Sequence, residues 1–158
     1  MLSIYLTHPM TGLPLRDVFA YYDDLTAKLR DIGYRALSPM LGTDWLREEA
    51  DQPAGAIGYD DHPLCTPKAI FRRDHWMVRE ANVVFADFTG ATSPSIGSCF
   101  ELAWAHEIGA YVVVVMDRGN PHWHSFVLAG ADVVFPTADD ALDYLATLFH
   151  ETSPVLKV

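Results

Sequence analysis

The sequence predicts an α/β fold, a Rossmann-like (flavodoxin-like) three-layer sandwich built on a parallel sheet of about five strands. Short apolar runs at 3–7, 34–38, 82–88, 111–116 and 132–135 alternate with segments whose apolar residues recur at helical spacing. That alternation marks consecutive β-α-β units, which put parallel strands in one sheet and helices on both its faces. The length of 158 residues, half of them hydrophobic, suits a single domain, 1–158, with one well-filled core.

Residues 3–7 form the first strand, and Pro9, Gly12 and Pro14 then make a tight loop. Val18, Tyr22, Leu25, Leu29 and Ile32 follow at steps of three and four, giving one apolar helix face that Gly33 stops. Residues 34–38 are a short second strand ended by Pro39. The segment 39–65, with Gly58 and the acids Asp60 and Asp61 among many others, reads as an insert or lid loop with room for a short helix around 45–50. Thr66 is an N-cap and Pro67 the first position of a helix running to about residue 80, with Asp74 in its middle. Strand 82–88, a helix and strand 111–116 make a further unit. Residues 120–131 are a loop with a short helix, 132–135 a last strand, and Thr137 caps a final helix whose Asp139 and Asp140 complement its dipole.

Charge and composition exclude several function classes. Eleven basic against 21 acidic residues give a formal charge of -10, so the average surface repels a nucleic-acid polymer. A small anion needs only a local nest of amides and hydroxyls. The start of the chain lacks a basic segment and a secretory apolar core, and no run reaches the roughly 18 apolar residues of a membrane helix. Cys65 and Cys99 have no metal-type spacing and suit a reducing interior. These features read as a cytoplasmic protein with no membrane partner.

The chemistry concentrates in Ser93-Pro-Ser-Ile-Gly-Ser-Cys-Phe-Glu-Leu-Ala-Trp-Ala-His-Glu-Ile-Gly109, which follows one strand and precedes another. It lies where open α/β sheets bind small molecules, beyond the carboxyl ends of strands. Glu101 is the candidate nucleophile, expected to be held ionised near a helix N-terminus. Tyr5 ends the first strand and Asp74 lies on the helix leading into the third. Two carboxylates and a phenol are the parts for cleaving an acetal-like bond. Each residue also has a plainer reading. Glu101 would be a solvated first-turn acid, Asp74 a partner of Arg72, Arg73 or Lys68 on an exposed face, and Tyr5 a core aromatic. Ser95 and Ser125 would be caps. His122 and His124 lack a third ligand at metal spacing and read as surface or interface histidines. Cys99 reads as a small buried residue without an activating base, and the four tryptophans as core or interface.

The stretches Ile4-Tyr5-Leu6-Thr7-His8-Pro9-Met10-Thr11-Gly12, Asp74 with Ala81-Asn82-Val83-Val84-Phe85-Ala86-Asp87, and Pro94-Ser-Ile-Gly-Ser-Cys-Phe-Glu101-Leu-Ala resemble the nucleoside 2-deoxyribosyltransferase superfamily. Within it the chain is most similar to the 2'-deoxynucleoside 5'-monophosphate N-hydrolases. The resemblance implies that Glu101 attacks the sugar C1', Asp74 helps to protonate the departing base and Tyr5 positions the nucleophile. It also implies substrate contacts from His8, Met10 and Gly12, and from Ser95, Gly97 and Ser98 at the helix start. Transferases acting on free nucleosides carry an aspartate where this chain has Ser95, and a hydroxyl there suits a 5'-phosphate better than a carboxylate would. Ser125 resembles a serine that reaches the neighbouring subunit's phosphate, which implies a homodimer or higher homo-oligomer. No metal and no organic cofactor is implied. His8 departs from the hydrolases' usual glycine beside the base, and the 89–95 loop is longer than theirs. The implied activity is hydrolysis of a (2'-deoxy)nucleoside 5'-monophosphate to free base and sugar 5-phosphate. Base exchange by a deoxyribosyltransferase and non-catalytic nucleotide sensing are the alternatives.

Overall fold

The computed structural model describes residues 1–55 and 62–151, with side chains to residue 148. Gly58, Asp60 and Asp61 of the expected lid lie outside the described residues. The chain runs β1 (Ser3–Thr7), α1 (Leu15–Asp31), β2 (Arg35–Leu37), a 3-10 turn (Asp44–Glu49), α2 (Pro67–Glu80), β3 (Val83–Asp87), α3 (Ile96–Ile108), β4 (Tyr111–Val115), α4 (Ser125–Gly130), β5 (Val133–Phe135) and α5 (Ala138–Glu151). The strands form one parallel sheet in the order β2-β1-β3-β4-β5. The α/β expectation therefore holds, and the topology reverses direction between β1 and β3, where such sheets open a crevice.

Strand periodicity sorts the core into two layers. Ile4 and Leu6 of β1, Phe85 of β3 and Val113 of β4 pack with α1 and α5 on one face. Tyr5, Val84, Ala86, Val112 and Val114 face the other side with Met77 and Val78 of α2 and Leu102 of α3. Each large apolar side chain removed from water contributes about 1.5–3 kcal/mol. The same alternation turns Tyr5 towards the helices that carry Asp74 and Glu101.

The helix boundaries have the expected chemistry. Thr66 Oγ1 accepts the Ala69 amide before Pro67 opens α2, and Gly33, at φ 93°, follows the end of α1. Ser95 caps α3, and Gly109 ends it in the left-handed region at φ 73°. Thr137 Oγ1 accepts the Asp140 amide at the start of α5.

The described part of the insert is a fixed wall of the crevice. The amides of Leu15 and Arg16, orphaned at the start of α1, donate to the carbonyls of Gln52 and Ala50, and Gly12 and Ala54 bond across the same seam. The short helix expected at 45–50 is the 3-10 turn Asp44–Glu49, whose Leu46 is buried. Of the tryptophans, expected in the core or at an interface, Trp45, Trp76 and Trp123 lie outside the core and are exposed, and Trp104 is half-buried.

Candidate active site

A cavity of about 490 Å³ opens over the carboxyl ends of β1 and β3, lined by Glu101, Asp74, Thr7, Ser95, Ser98 and the loop that carries His8 and Met10. Its size is in the range that holds small-molecule ligands. Tyr5 reaches Glu101 from β1: its hydroxyl donates to Glu101 Oε1 at 2.9 Å, with both residues buried. Asp74 is buried on α2 and accepts from Arg73 Nε at 3.0 Å. It is not the exposed ion-pair partner of the plainer reading. Three residues separated by up to 96 positions thus meet at one site.

The α3 start is a chain of hydroxyls. Thr7 Oγ1 donates to Ser98 Oγ at 2.8 Å, and Ser98 Oγ lies 3.0 Å from Ser95 Oγ, which accepts the Ser98 amide. The Ser95 amide donates to His122 Nε2 at 2.7 Å. His122 therefore carries its proton on Nδ1, towards Asn120 Oδ1, and stacks on Phe88 at 3.9 Å. It is 1% exposed, which corrects the surface or interface expectation.

Electrostatics correct a second expectation. Glu101 lies in the second turn of α3, beyond the first turn in which the helix dipole acts, and is 8% exposed. Burial pushes its carboxyl up to about 8, against the hydroxyls of Thr7 and Tyr5, which pull it down. Asp74 is raised to about 6, again by burial, with Arg73 opposing. The Tyr5 phenol is raised by burial and by the two acids, so it stays a donor. Around neutral pH the two carboxyls share about one proton between them. At rest that proton lies on Glu101, the weaker acid, so the pair supplies a nucleophilic Glu101 and an acidic Asp74 in the tautomer with the proton on Asp74.

The model of the nucleoside 2-deoxyribosyltransferase family matches residues 4–145. The chain belongs to this family. A 2-deoxyribosyltransferase from the psychrotolerant bacterium Bacillus psychrosaccharolyticus superposes with a TM-score of 0.60 at 19% identity, over 90% of this chain and 91% of that one. The CMP N-glycosidase BcmB of Clostridium botulinum superposes with a TM-score of 0.52 at 13% identity, over 92% and 98%. Both likenesses are of fold. A comparison with curated proteins finds no match.

On this deoxyribosyltransferase-family scaffold the expected residues divide into two groups. Glu101, Asp74, Ser95, Gly97, Ser98, His8 and Met10 line the cavity, and Tyr5 braces Glu101 from behind. Gly12 is not among the lining residues; its amide is bound to Ala54. Ser125 is exposed at the first position of α4 and also lies outside the lining. His8 is anchored, with Nδ1 donating to the Asp87 carbonyl and its ring stacked on Tyr21 at 4.3 Å. Asp87 is itself satisfied by the Tyr21 hydroxyl and the Thr89 amide.

Sequence reasoning missed Thr7, His122 and Arg73. Thr7 was within reach, because it shares a strand face with Tyr5 two residues away. His122 carried no local signal, since its partner is 27 residues distant. Cys99, half-buried, has its thiol raised by burial and then by Glu101, so nothing activates it. Among the described residues no cluster could hold a metal ion, and no helix is long and apolar enough to cross a membrane.

Proposed function

We propose that the protein is an N-glycosidase that hydrolyses a (2'-deoxy)nucleoside 5'-monophosphate to free base and sugar 5-phosphate. The observation that carries this reading is the Tyr5–Glu101 hydrogen bond inside a cavity whose other walls hold Asp74 and the Ser95–Ser98 hydroxyls. Glu101 carboxylate attacks C1' as the C1'–N bond breaks, and the electron pair passes to the base, which takes a proton from Asp74. The glycosyl-glutamate ester is then attacked at C1' by water that gives its proton to Asp74 carboxylate, freeing Glu101. Two displacements at one carbon retain configuration.

Hydrolysis of a nucleotide is favoured over base exchange on a free nucleoside by the α3 start. Ser95 and Ser98 offer hydroxyls there, at a helix start whose first amides have no intrahelical partner, a suitable nest for a phosphate. An aspartate at position 95 would repel it. The reading extends to a homodimer in which Ser125 completes the neighbouring site. It is supported by the exposure of Ser125 and of its neighbour Phe126, which is 84% exposed. The site is proposed to need no metal or organic cofactor. Following free base by chromatography across nucleoside monophosphates, nucleosides and added acceptor bases tests the reading: base release without new nucleoside is expected. Formation of a new nucleoside would instead establish the transferase.

A further inference from the structure

The 5'-phosphate of the proposed substrate brings about two negative charges into a cavity that already holds Asp74 and Glu101. The donors given to it at the α3 start are uncharged hydroxyls and amides. Two of the lining residues can carry a positive charge, Arg73 and His8. Arg73 is committed to α2, where its Nε bonds Asp74 Oδ1 at 3.0 Å and its Nη1 is buried. His8 is held on two sides and open on a third. Its Nδ1 meets the Asp87 carbonyl at 2.8 Å, and its ring stacks on Tyr21 with centroids 4.3 Å apart. A carbonyl only accepts, so Nδ1 carries a proton and the ring plane is fixed. Nε2 makes no hydrogen bond among the described residues and is not a buried orphan as Arg73 Nη1 is, so its edge of this half-buried, cavity-lining ring is accessible.

The anchor also sets which part of the substrate His8 meets. Asp87 ends β3, and the chain continues through Phe88, stacked on His122, to Ser95, whose amide His122 holds. Thr7, next to His8, donates to Ser98. His8 therefore sits at the strand ends whose neighbours hold both serines of the α3 start. The apolar wall suited to a base, Met40, Leu46 and Ile70, comes instead from the insert and from α2, which carries Asp74. We propose that His8 is a phosphate-binding residue of this site, its Nε2 sharing a proton with a non-bridging oxygen of the substrate's 5'-phosphate. The proposal rests on the N-glycosidase reading and names the group that answers the phosphate's charge. The proton comes from solvent as the nucleotide binds and stays in the contact while the C1'–N bond breaks, so the proton exchange between Glu101, Asp74 and the base is untouched. A hydrogen bond between charged partners is about twice as strong as a neutral one, which gives His8 more weight than either serine.

The test measures base release by wild type, His8→Phe and His8→Gln from deoxynucleoside 5'-monophosphates, their 5'-methylphosphate diesters, which carry one negative charge fewer, and the free nucleosides. His8→Phe keeps a ring to stack on Tyr21 and removes Nε2, whereas His8→Gln restores a neutral donor. His8→Phe is expected to raise KM for the monophosphate about 30-fold, with partial recovery in His8→Gln, and KM for the nucleoside by less than about threefold. The change falls on KM more than on kcat, because the contact is the same before and during bond breaking. Wild type is expected to prefer the monophosphate to the diester by a similar factor, a result that does not depend on any variant folding, and His8→Phe to lose most of that preference. Equal KM changes for nucleotide and nucleoside, changes that follow the base instead of the phosphate, or indifference of wild type to the diester would overturn the role of His8 alone. Wild type that releases no base from any nucleotide would overturn the N-glycosidase reading, and the role of His8 with it.

Discussion

Glu101 and Asp74 are acids whose behaviour is set by burial more than by helix position. With the pair holding one proton between about 6 and about 8, the proposed mechanism requires a bell-shaped pH dependence of kcat/KM with limbs near those values. Between the limbs the resting proton lies on Glu101, so the reactive form is the tautomer with that proton on Asp74; below the first limb both acids are protonated, and above the second both are ionised. The same shifts act on stability. A Glu101 carboxyl raised from 4.5 to about 8 favours the fold below its ordinary value and loses that contribution as pH rises through about 8. Glu101→Gln, which cannot ionise, should therefore gain stability relative to wild type on going from pH 5 to pH 9, by about 2 kcal/mol or more. Thermal or denaturant melts at the two pH values check the sign, and an unchanged difference would mean that Glu101 is not desolvated. Its identity as candidate nucleophile was legible from a loop-to-helix position and a motif. Its ionisation was not, because desolvation depends on what Tyr5, Thr7 and the cavity walls place around it.

The element assigned to the phosphate in the proposed reaction is the start of α3, where Ser95 caps the helix while its own amide is held by His122 from the β4–α4 loop. His122→Phe would retain the stacked shape over Phe88 but remove the acceptor. It should destabilise the fold by about 1–3 kcal/mol, the cost of a buried donor left unpaired. It should also raise KM for the nucleotide while leaving that for the unphosphorylated nucleoside unchanged; equal changes in both would separate His122 from phosphate binding. The cap, the Pro67 helix start and the strand runs were all readable, since each depends on neighbours within a few residues. The wall made by residues 39–55 was read only as a loop, because its order comes from carbonyls meeting the orphan amides of α1, a contact without a local pattern. Arg73 was read as a surface ion-pair candidate for the same reason: adjacency to Asp74 was visible, and burial was not.

At the scale of the whole molecule, the β1–β3 switch point brings Tyr5, Asp74 and Glu101 from three separate elements to one crevice. Phe71, Phe100 and Trp104 form an aromatic cluster on α2 and α3, and Phe126 is exposed beside Ser125 on α4, which packs on α3. Sedimentation should show a dimer, and Phe126→Asp should shift it towards monomer while weakening nucleotide binding through loss of the partner's Ser125. A wild-type monomer with full activity would remove that serine from the site. The parallel sheet of about five strands and the family were legible in the sequence, but a surface shared between two copies leaves no spacing rule in one chain. The central claim is tested most directly by comparing free-base release from a deoxynucleoside 5'-monophosphate and its unphosphorylated nucleoside, using wild type and Glu101→Gln. Release that is much faster with the phosphate present and falls by about 10³-fold or more in Glu101→Gln is the expected result. Equal turnover of the two substrates, or full activity without the Glu101 carboxylate, would contradict it.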